Sequence, residues 1–528
     1  MEDNVTQTRI KWPRIIGVVV LLLVVVGFVF FKDKILNNST IKQMSQNNKT
    51  ESTGESLSGV PRDSIINVGV VTWPGYAGGE YFNEGFEANR NSRYFKDYGF
   101  YVEFKVIDDF NASREAFKSG EIDILWSTID AFPTEITGMS RMNPKVLFFV
   151  DKSRGADAIV AVRGINKVSD LKGRKIAVAP MTPSHTLLLN LFRAGEIKPS
   201  DVTIIEMPSA IEAADLFRKN QCDAAVVWSP DDEDCITKVE GSKILISTAT
   251  ATDIISDVFI AKQDFIDQNQ TRLKGLVEGW LKGNSEINNG NSEKAVKILA
   301  AGLKQPEEFC RNGLAKVRLC TYGDNVNLFN VSGNFKGVSG EDIYNKMVNE
   351  YSAAISPVSR TAYIASRVPN FRAIIYPKFV NEISLPGEEH MAEGSIKFSA
   401  PTKQDYSSAA VASVKASITF PTNSYVLDEN AKRLIDLQLS DIAKSFQHAR
   451  FRIEGNTDNT GDNVQNKRLS KLRAKAVADY LTSEYNFDPN RFVILGNGSD
   501  KPVSGLDANS KEGRDANRRT DFELISSM

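Results

Sequence analysis

A carboxylate and a guanidinium lie close together in the C-terminal part of the sequence. Asp458 belongs to the polar turn NTDNTG, and Arg473 follows in a stretch with helical periodicity. The apolar residues that recur at helical spacing there are Leu469, Leu472, Ala476, Val477, Tyr480 and Leu481. The two charged groups could hold a zwitterion, with its ammonium on Asp458 and its carboxylate in a bidentate pair on Arg473. A helix cap combined with a structural ion pair is the alternative interpretation.

Four motifs around these residues occur in a characteristic order, namely GNTDNTG, NKRLSKLRAKAVADYL, GNGSDKP and EGRDANRRTDFEL. They resemble the OmpA-like (OmpA/MotB C-terminal) peptidoglycan-binding domain, which we expect over residues 416–528. The resemblance implies an α+β sandwich in which Asp458 and Arg473 clamp the diaminopimelate residue of the peptidoglycan stem peptide.

Further positions match residues that support the site in that family, namely Asn466, Asn517 and Arg518. One position departs from the pattern, because Asn456 stands where the family usually has His. An Asn side chain can also bond a turn, so we expect Asn456 to take over that contact.

Residues 15–31, IIGVVVLLLVVVGFVFF, form an apolar run without charge. A helix rises about 1.5 Å per residue, so this run nearly spans a bilayer core. The basic residues of 1–14 favour a cytoplasmic N-terminus. We therefore expect a single-pass inner-membrane anchor with the bulk of the chain in the periplasm; a cleaved signal peptide is the competing interpretation. The polar residues 32–62 are predicted to be a disordered tether.

Alternating strand and helix patterns over residues 63–385 predict an α/β fold with parallel strands. Ligands of such sheets bind at the carboxyl ends of the strands, which is where Trp73, Tyr76 and Ser127 lie. Ser184 stands at the start of a helix, where an anion or a polar ligand group is favoured. Simple capping of the helix explains Ser184 equally well.

The motifs WPGYAGG, DLKGRKIAV, SHTLLL and QCDAAVVWSP, in this order, resemble the nitrate/taurine/aliphatic-sulfonate type of ABC-transporter substrate-binding protein. The resemblance implies a two-lobed periplasmic-binding-protein fold, with lobe I at 63–150 and 256–385 and lobe II at 151–255. It implies a small solute in the cleft, with anions among the candidates, and an ABC permease or another membrane protein as a partner. The implied cleft residues are Trp73, Tyr76, Ser127, Ser184, His185 and Trp228. Ser229 replaces the glutamate that usually follows Trp228.

The four cysteines lie in the part of the chain expected in the periplasm, where disulfides persist. We predict the local pairs Cys222–Cys235 and Cys310–Cys320, although the other pairings stay open. Their spacing is too wide for a typical zinc site, and the histidines form no cluster. The sequence therefore predicts neither a metal nor a cofactor.

The net charge of −2 over 528 residues gives no basic surface of the kind that binds nucleic acid. We expect a membrane-anchored solute-binding protein that also binds peptidoglycan, for transport or sensing. An enzyme is not expected, because no positioned acid–base set is visible. The alternative is a stator-like or structural tether whose two-lobed domain contacts proteins, although residues 15–31 lack the acidic residue that an ion-driven stator needs. Residues 386–415, rich in Pro, Gly, Ser and Ala, are predicted to be a mobile linker.

Overall fold

The structure is a computed structural model that describes residues 61, 64–421 and 423–525. The predicted anchor, 15–31, lies outside the described residues, and so does nearly all of the predicted tether. Within the described part, no helix has both the length and the apolar character that a membrane crossing requires. All described residues belong to one compact unit, Leu57–Met528.

The described residues form strands and α-helices that build three sheets with their covering helices. The strands are β1 (Ile65–Val70), β2 (Tyr101–Val106), β3 (Ile124–Thr128), β4 (Pro144–Ser153), β5 (Asp157–Ala161), β6 (Lys175–Val178), β7 (Thr203–Glu206), β8 (Ala224–Trp228), β9 (Lys243–Ser247), β10 (Ser256–Lys262), β11 (Val317–Leu319), β12 (Ala410–Ala416), β13 (Arg450–Asn456), β14 (Phe492–Gly498) and β15 (Thr520–Ile525). The α-helices are α1 (Ala77–Phe82), α2 (Arg93–Tyr98), α3 (Phe110–Ser119), α4 (Phe132–Glu135), α5 (Pro183–Ala194), α6 (Ala210–Arg218), α7 (Asp231–Lys238), α8 (Gln263–Gln268), α9 (Gln270–Glu286), α10 (Ser292–Leu303), α11 (Glu307–Ala315), α12 (Tyr322–Leu328), α13 (Gly340–Ala353), α14 (Phe371–Ile374), α15 (Lys378–Glu382), α16 (Lys403–Ser407), α17 (Glu429–Ile435), α18 (Asp441–Ser445), α19 (Asn463–Tyr485) and α20 (Lys511–Asn517).

Lobe I is built on the six-stranded sheet, whose strand order is β11-β4-β10-β3-β1-β2. Strand β1 pairs in parallel with β2 and β3, whereas β10 runs antiparallel to β3 and β4. Strands β1 and β3 are buried almost throughout. Such continuous apolar strands are typical of the centre of an α/β sheet.

Trp280 of α9 is fully buried in the core of lobe I, with the ring of Phe259 4.7 Å from its own. Glycines allow α1 to approach α9 closely at this point. A Cβ atom on Gly79 would lie 2.5 Å from Trp280, and one on Gly283 would lie 2.1 Å from the carbonyl oxygen of Gly78. The glycines at the end of WPGYAGG therefore serve the packing of these two helices.

Lobe II is built on the five-stranded sheet, with the order β7-β6-β8-β5-β9. Strand β6 is parallel to β7 and β8, and β5 is antiparallel to β8 and β9. The chain passes from one sheet to the other twice, between β4 and β5 and between β9 and β10. The two-lobed α/β fold predicted from the sequence is confirmed, but both sheets are mixed rather than built from parallel strands alone.

The C-terminal domain has the mixed sheet β12-β15-β13-β14, in which only the β13–β14 pair is parallel. Helix α19 packs on β13 and β14, and a Cβ on Gly455 of β13 would lie 2.1 Å from the carbonyl oxygen of Ser470. The buried side chains of α19 are Ser470, Ala474, Val477, Ala478 and Leu481. The predicted apolar stripe is therefore partly wrong, because small residues rather than Leu469 and Leu472 form the closest contact.

The predicted linker, 386–415, contains most of strand β12 and all of helix α16. Strand β12 pairs with β15, so the sheet of the C-terminal domain begins earlier than the sequence predicts. The segment before it is held in place by side chains of both neighbours. Arg450 Nη1 donates to Ser399 O at 3.0 Å, and Arg154 Nη1 of lobe II donates to Glu393 Oε1 at 2.9 Å.

One continuous apolar cluster joins lobe II to the C-terminal domain. It contains Leu188 and Phe192 of α5 together with Val414 of β12 and Leu439 from the π-helical segment that connects α17 to α18. Polar contacts add to it, since Arg193 pairs with Asp441 at 3.2 Å. The two parts of the chain are thus packed against each other rather than joined only by a linker.

Candidate functional site

The turn after β13 carries Asp458, and a different carboxylate caps the helix that follows. Asp462 Oδ1 accepts a hydrogen bond from Gln465 N at 2.9 Å and is the N-cap of α19. Asp458 is therefore free of the capping role that the sequence left open. The side chain of Asp458 is only 15% exposed, so it lies in a recess of the surface.

Asp458 is held by two donors at the end of β13. Its Oδ1 accepts from Thr460 N at 2.9 Å, and its Oδ2 accepts from Arg518 Nη1 at 2.6 Å. Burial alone would raise the pKa of Asp458, but these two bonds outweigh it and hold the pKa below its usual value. The group is consequently a carboxylate at neutral pH.

Arg473 lies beside this pair on α19, half-buried. Its Nε donates to Ser424 O at 2.9 Å, and its guanidinium lies 5.0 Å from the ring centroid of Phe420. Burial, followed by the nearby charge of Arg518, lowers the pKa of Arg473, while Asp458 opposes this shift. No carboxylate among residues 61, 64–421 and 423–525 forms an ion pair with Arg473, so its guanidinium remains available to an anionic group.

The other predicted residues of this site have different roles. Asn466 Nδ2 donates to Thr460 O at 2.9 Å and so holds the turn that carries Asp458. Asn517 is buried, and its Oδ1 accepts from Val503 N at 2.7 Å, which fixes the loop before α20. Arg518 contacts Asp458 directly and also pairs with Asp515.

Asn456 is buried below the turn rather than bonded to it. Its Nδ2 donates to Asp521 Oδ2 at 3.0 Å, and its Oδ1 accepts from Asn497 Nδ2 at 3.0 Å. Asn456 therefore ties three strands of the sheet together. The expectation that its side chain bonds the turn is wrong, because that side chain points into a polar network between the strands.

The second candidate site lies where the chain crosses between the lobes. The Trp73 indole donates from Nε1 to Asp151 Oδ2 at 3.0 Å, and the Tyr76 hydroxyl donates to Asp257 Oδ2 at 2.8 Å. These two predicted cleft residues thus hold carboxylates on β4 and β10.

The remaining predicted cleft residues differ in exposure. Ser127 and Ser184 are fully buried; Ser127 Oγ donates to Glu135 Oε1 at 3.3 Å, whereas Ser184 Oγ has no partner among the described residues. His185 is buried against Tyr351 and Tyr363, and burial lowers the pKa of His185 to about 3, so the ring is neutral. Trp228 stays 38% exposed at the end of β8.

Buried aspartates form the main feature of this crossing, and none of them is among the cleft residues predicted from the sequence. Asp130 follows β3, Asp151 and Asp257 face each other on β4 and β10, and Asp157 begins β5. Burial raises the pKa of all of them, to about 7 for Asp130 and about 6 for Asp157. A charged residue inside an apolar strand, as in FFVDKS and SDVFIAK, is the signal that could have revealed them.

The acidic run after Trp228 pairs with basic side chains, although the charge of Asp232 also raises the pKa of Asp157 in this cluster. It forms the first turn of α7, where Asp231 and Asp234 pair with Arg218 at 2.6 and 2.9 Å. Asp232 pairs with Lys316 of lobe I at 3.2 Å. The run therefore stabilises a helix start and a contact between the lobes.

The four cysteines are free and buried, so the predicted pairs Cys222–Cys235 and Cys310–Cys320 are not formed in the structure. Burial raises the pKa of the Cys222 thiol to about 12 and those of Cys235 and Cys310 to about 11. Burial also raises the pKa of the Cys320 thiol. Such thiols carry little thiolate and behave as small apolar side chains.

Comparison with known families follows the same division of the chain. Residues 419–518 match the family model described as OmpA family, and residues 89–290 match the one described as NMT1/THI5 like. The chain contains an NMT1/THI5-like domain followed by an OmpA domain.

Relatives of the OmpA domain include two outer membrane proteins. Omp38 of Acinetobacter baumannii is 34% identical over 153 residues, which is 27% of this chain and 42% of that protein. Porin F of Pseudomonas aeruginosa is 34% identical over 116 residues, covering 22% of this chain and 32% of the porin. The present chain thus spans less than half the length of either relative.

The NMT1/THI5-like domain is similar to the taurine-binding periplasmic protein of Escherichia coli, with 24% identity over 242 residues, 45% of this chain and 70% of that protein. Among solved structures, the periplasmic aliphatic sulphonate binding protein SsuA from Escherichia coli aligns with a TM-score of 0.46 and 17% identity. The alignment covers 65% of this chain and 98% of SsuA. These relatives are named as binding proteins rather than as enzymes.

Proposed function

We propose that this protein is anchored in the inner membrane, binds a small solute between the lobes of its NMT1/THI5-like domain, and binds peptidoglycan through its OmpA domain. The solute would be passed to a membrane permease or would act as a signal. The anchor rests on the apolar residues 15–31 alone. Binding to the wall rests on the geometry around Asp458.

The observation that carries the wall-binding proposal is an ionised carboxylate beside an arginine that has no carboxylate partner among the described residues. Asp458 lies close enough to Arg473 for its charge to raise the pKa of the guanidinium, and both side chains are partly shielded from water. Diaminopimelate offers an ammonium and a carboxylate on one carbon, which matches this pair. In this binding mode, the Asp458 carboxylate would receive the ammonium and the Arg473 guanidinium the carboxylate.

Sedimentation with purified sacculi tests this proposal. Asp458→Asn and Arg473→Ala should each reduce binding to diaminopimelate-type sacculi by about 10- to 100-fold, since each removes charge-assisted hydrogen bonds. Asp479→Asn and Arg468→Ala are matched controls, because they make comparable changes at exposed positions of the same helix. Undiminished binding of the site variants, or equal binding to lysine-type sacculi, would refute the proposed contact.

Membrane anchoring needs a separate measurement. Deletion of residues 15–31 should release the protein from the membrane fraction, while sacculus binding persists. Resistance of the full chain to alkaline extraction is the expected result. If the full chain is extracted as readily as the deletion variant, the anchor is disproved and the wall-binding proposal is unaffected.

A further inference from the structure

We propose that the solute of the NMT1/THI5-like domain carries an organic cationic group, an ammonium or amidinium, that binds among Asp130, Asp151, Asp157 and Asp257. This inference rests on the proposed solute-binding function and adds the charge class of the ligand. It differs from the expectation of an anion among the candidate solutes.

The four carboxylates come from both lobes and meet at the crossings between them. Asp151 and Asp257 are directly opposed on the antiparallel strands β4 and β10. Directly opposed residues of such strands have Cβ atoms about 5 Å apart, and like charges at that spacing destabilise the sheet. Asp157 begins β5, the first strand of lobe II, and three residues separate it from the end of β4. The cluster is thus placed where a bound ligand would contact both lobes.

In the part of the chain that the structure describes, none of these carboxylates has a basic partner. Asp257 accepts from Tyr76 OH, Asp151 accepts from Trp73 Nε1, and Asp157 Oδ2 accepts from Ser153 Oγ at 2.6 Å. All of these donors are neutral. Within residues 61, 64–421 and 423–525, no lysine or arginine forms an ion pair with any member of the cluster.

Asp130 is the member whose bonding is least complete. It is fully buried, and neither oxygen of its carboxylate has a hydrogen-bond partner with good geometry among the described residues. Thr128 and Thr186 lie close to it and moderate the rise in its pKa. A buried carboxylate without a partner is costly, so an arrangement of this kind points to a donor that the ligand supplies.

A second, independent group points the same way. Ser184 Oγ at the start of α5 is fully buried and has no partner in the described part of the chain. It lies two residues before Thr186, the neighbour of Asp130. A hydroxyl can accept one of the several hydrogens of an ammonium or amidinium, whose other hydrogens would go to the carboxylates.

The cation is organic rather than a metal ion. Among the described residues, no three His, Cys, Asp or Glu side chains are placed to hold one metal. The donors that reach Asp151 and Asp257 come from the aromatic residues Trp73 and Tyr76, which also provide apolar surface beside the charge. A site with a few carboxylates and aromatic walls is suited to an organic cation.

The test is binding of charge-matched probes to the purified full chain in detergent, measured by calorimetry at pH 8. The probes are the organic cations putrescine and agmatine, the zwitterion taurine, the anions ethanesulfonate and nitrate, and Mg²⁺ and Zn²⁺. We expect binding of a probe with an organic cationic group and none of nitrate or ethanesulfonate. In Asp130→Asn the affinity for that probe should fall by about 10- to 100-fold. The matched control is Asp264→Asn, which removes an exposed carboxylate of α8.

The outcomes separate the two proposals. Binding of an anion that is equal in wild type and Asp130→Asn would overturn the cationic class and leave solute binding intact. Metal binding without any organic probe would also overturn it. If no probe binds, the support for both proposals is removed. If Asp130→Asn does not fold, Asp257→Asn takes its place. The wild-type protein gives a further test, because its affinity for the cationic probe should rise between pH 5 and pH 8. An affinity that does not rise would contradict the role of the carboxylates.

Discussion

Asp458 and Arg518 form an ion pair at the end of β13, with Arg518 Nη1 2.6 Å from Asp458 Oδ2. Arg473 lies next to them and has no carboxylate partner of its own among the described residues. A ligand ammonium that binds Asp458 must share its oxygens with Arg518. Arg518 therefore positions Asp458 and keeps it ionised, whereas Arg473 is the group free to bind the carboxylate of a zwitterion.

This relationship predicts how wall binding responds to acid. The bonds from Thr460 N and Arg518 hold the pKa of Asp458 below its usual value, so wild-type binding to sacculi should be constant from pH 7 down to about pH 5. In Arg518→Ala the pKa of Asp458 rises, and the loss of binding on acidification should begin at higher pH. Lys511→Ala, an exposed change in α20, the helix that ends just before Arg518, is the control. Coincident pH profiles of the variant and wild type would show that Arg518 does not hold Asp458 ionised.

Asn517 should act on stability rather than on the ligand. Its buried Oδ1 accepts from Val503 N at 2.7 Å, and Asn517→Ala leaves that amide without its partner. We expect the free energy of unfolding of the OmpA domain to fall by about 1–3 kcal/mol. Denaturant unfolding measures this loss, with Asn466→Ala as the more exposed comparison. If folded Asn517→Ala still binds sacculi, Asn517 is a structural residue and not a contact residue. Loss of binding without loss of stability would contradict this structural role.

Sequence reasoning was effective where a motif fixes a local backbone geometry. The order of β13, the Asp458 turn and α19 follows from GNTDNTG and the helical pattern after it, and both are present. It failed at β12, because the small residues of AVASVKA give little apolar alternation, and that strand is specified by its pairing with β15. Pairing between distant segments cannot be read from local pattern.

The interlobe site shows the same limit more sharply. Trp73 and Tyr76 could be placed at strand ends, but their contacts with Asp151 and Asp257 depend on which strands become neighbours in the sheet. The single-sequence pattern gives no sign that β4, β5 and β10 bring their aspartates together. The same holds for the joint apolar cluster of lobe II and the OmpA domain, which involves residues more than 200 positions apart.

The buried aspartates predict an unusual dependence of stability on pH. Burial raises the pKa of Asp130 to about 7, well above the unfolded value of about 3.9. The folded state therefore binds more protons than the unfolded state between these values, and the free energy of unfolding should fall as the pH rises from about 4 to about 7. The groups around Asp130 are Thr128, Thr186, Tyr351, Asp157 and Asp257.

Thermal unfolding of the ligand-free full chain at pH 5 and pH 7.5 measures this effect. Asp130→Asn cannot ionise, so its melting temperature should change less between the two pH values than that of wild type. Asp264→Asn should behave like wild type. Identical pH responses of Asp130→Asn and wild type would mean that Asp130 does not titrate in this range.

Gly283 tests the close approach of α1 and α9. A Cβ at this position would lie 2.1 Å from the carbonyl oxygen of Gly78, which is backbone and cannot move aside easily. Gly283→Ala should lower the free energy of unfolding by about 1–3 kcal/mol or more through overpacking. Gly138→Ala is the control, because nothing lies within 4 Å of its added Cβ. A melting temperature of Gly283→Ala equal to that of wild type would rule out the tight packing.

Arg154 tests whether the segment before β12 is held against the NMT1/THI5-like domain. Its guanidinium donates to both oxygens of Glu393 and is only 14% exposed. Arg154→Ala leaves a half-buried carboxylate without its partner, so we expect a loss of about 1–3 kcal/mol in the free energy of unfolding. Arg163→Ala breaks the exposed pair with Glu240 in the same lobe and should cost at most about 1 kcal/mol.

Hydrogen exchange then locates the effect: amides near Glu393 should exchange faster in Arg154→Ala and stay protected in Arg163→Ala. Equal protection in both variants would mean that the apolar cluster of lobe II and β12, and not this ion pair, keeps the segment in place.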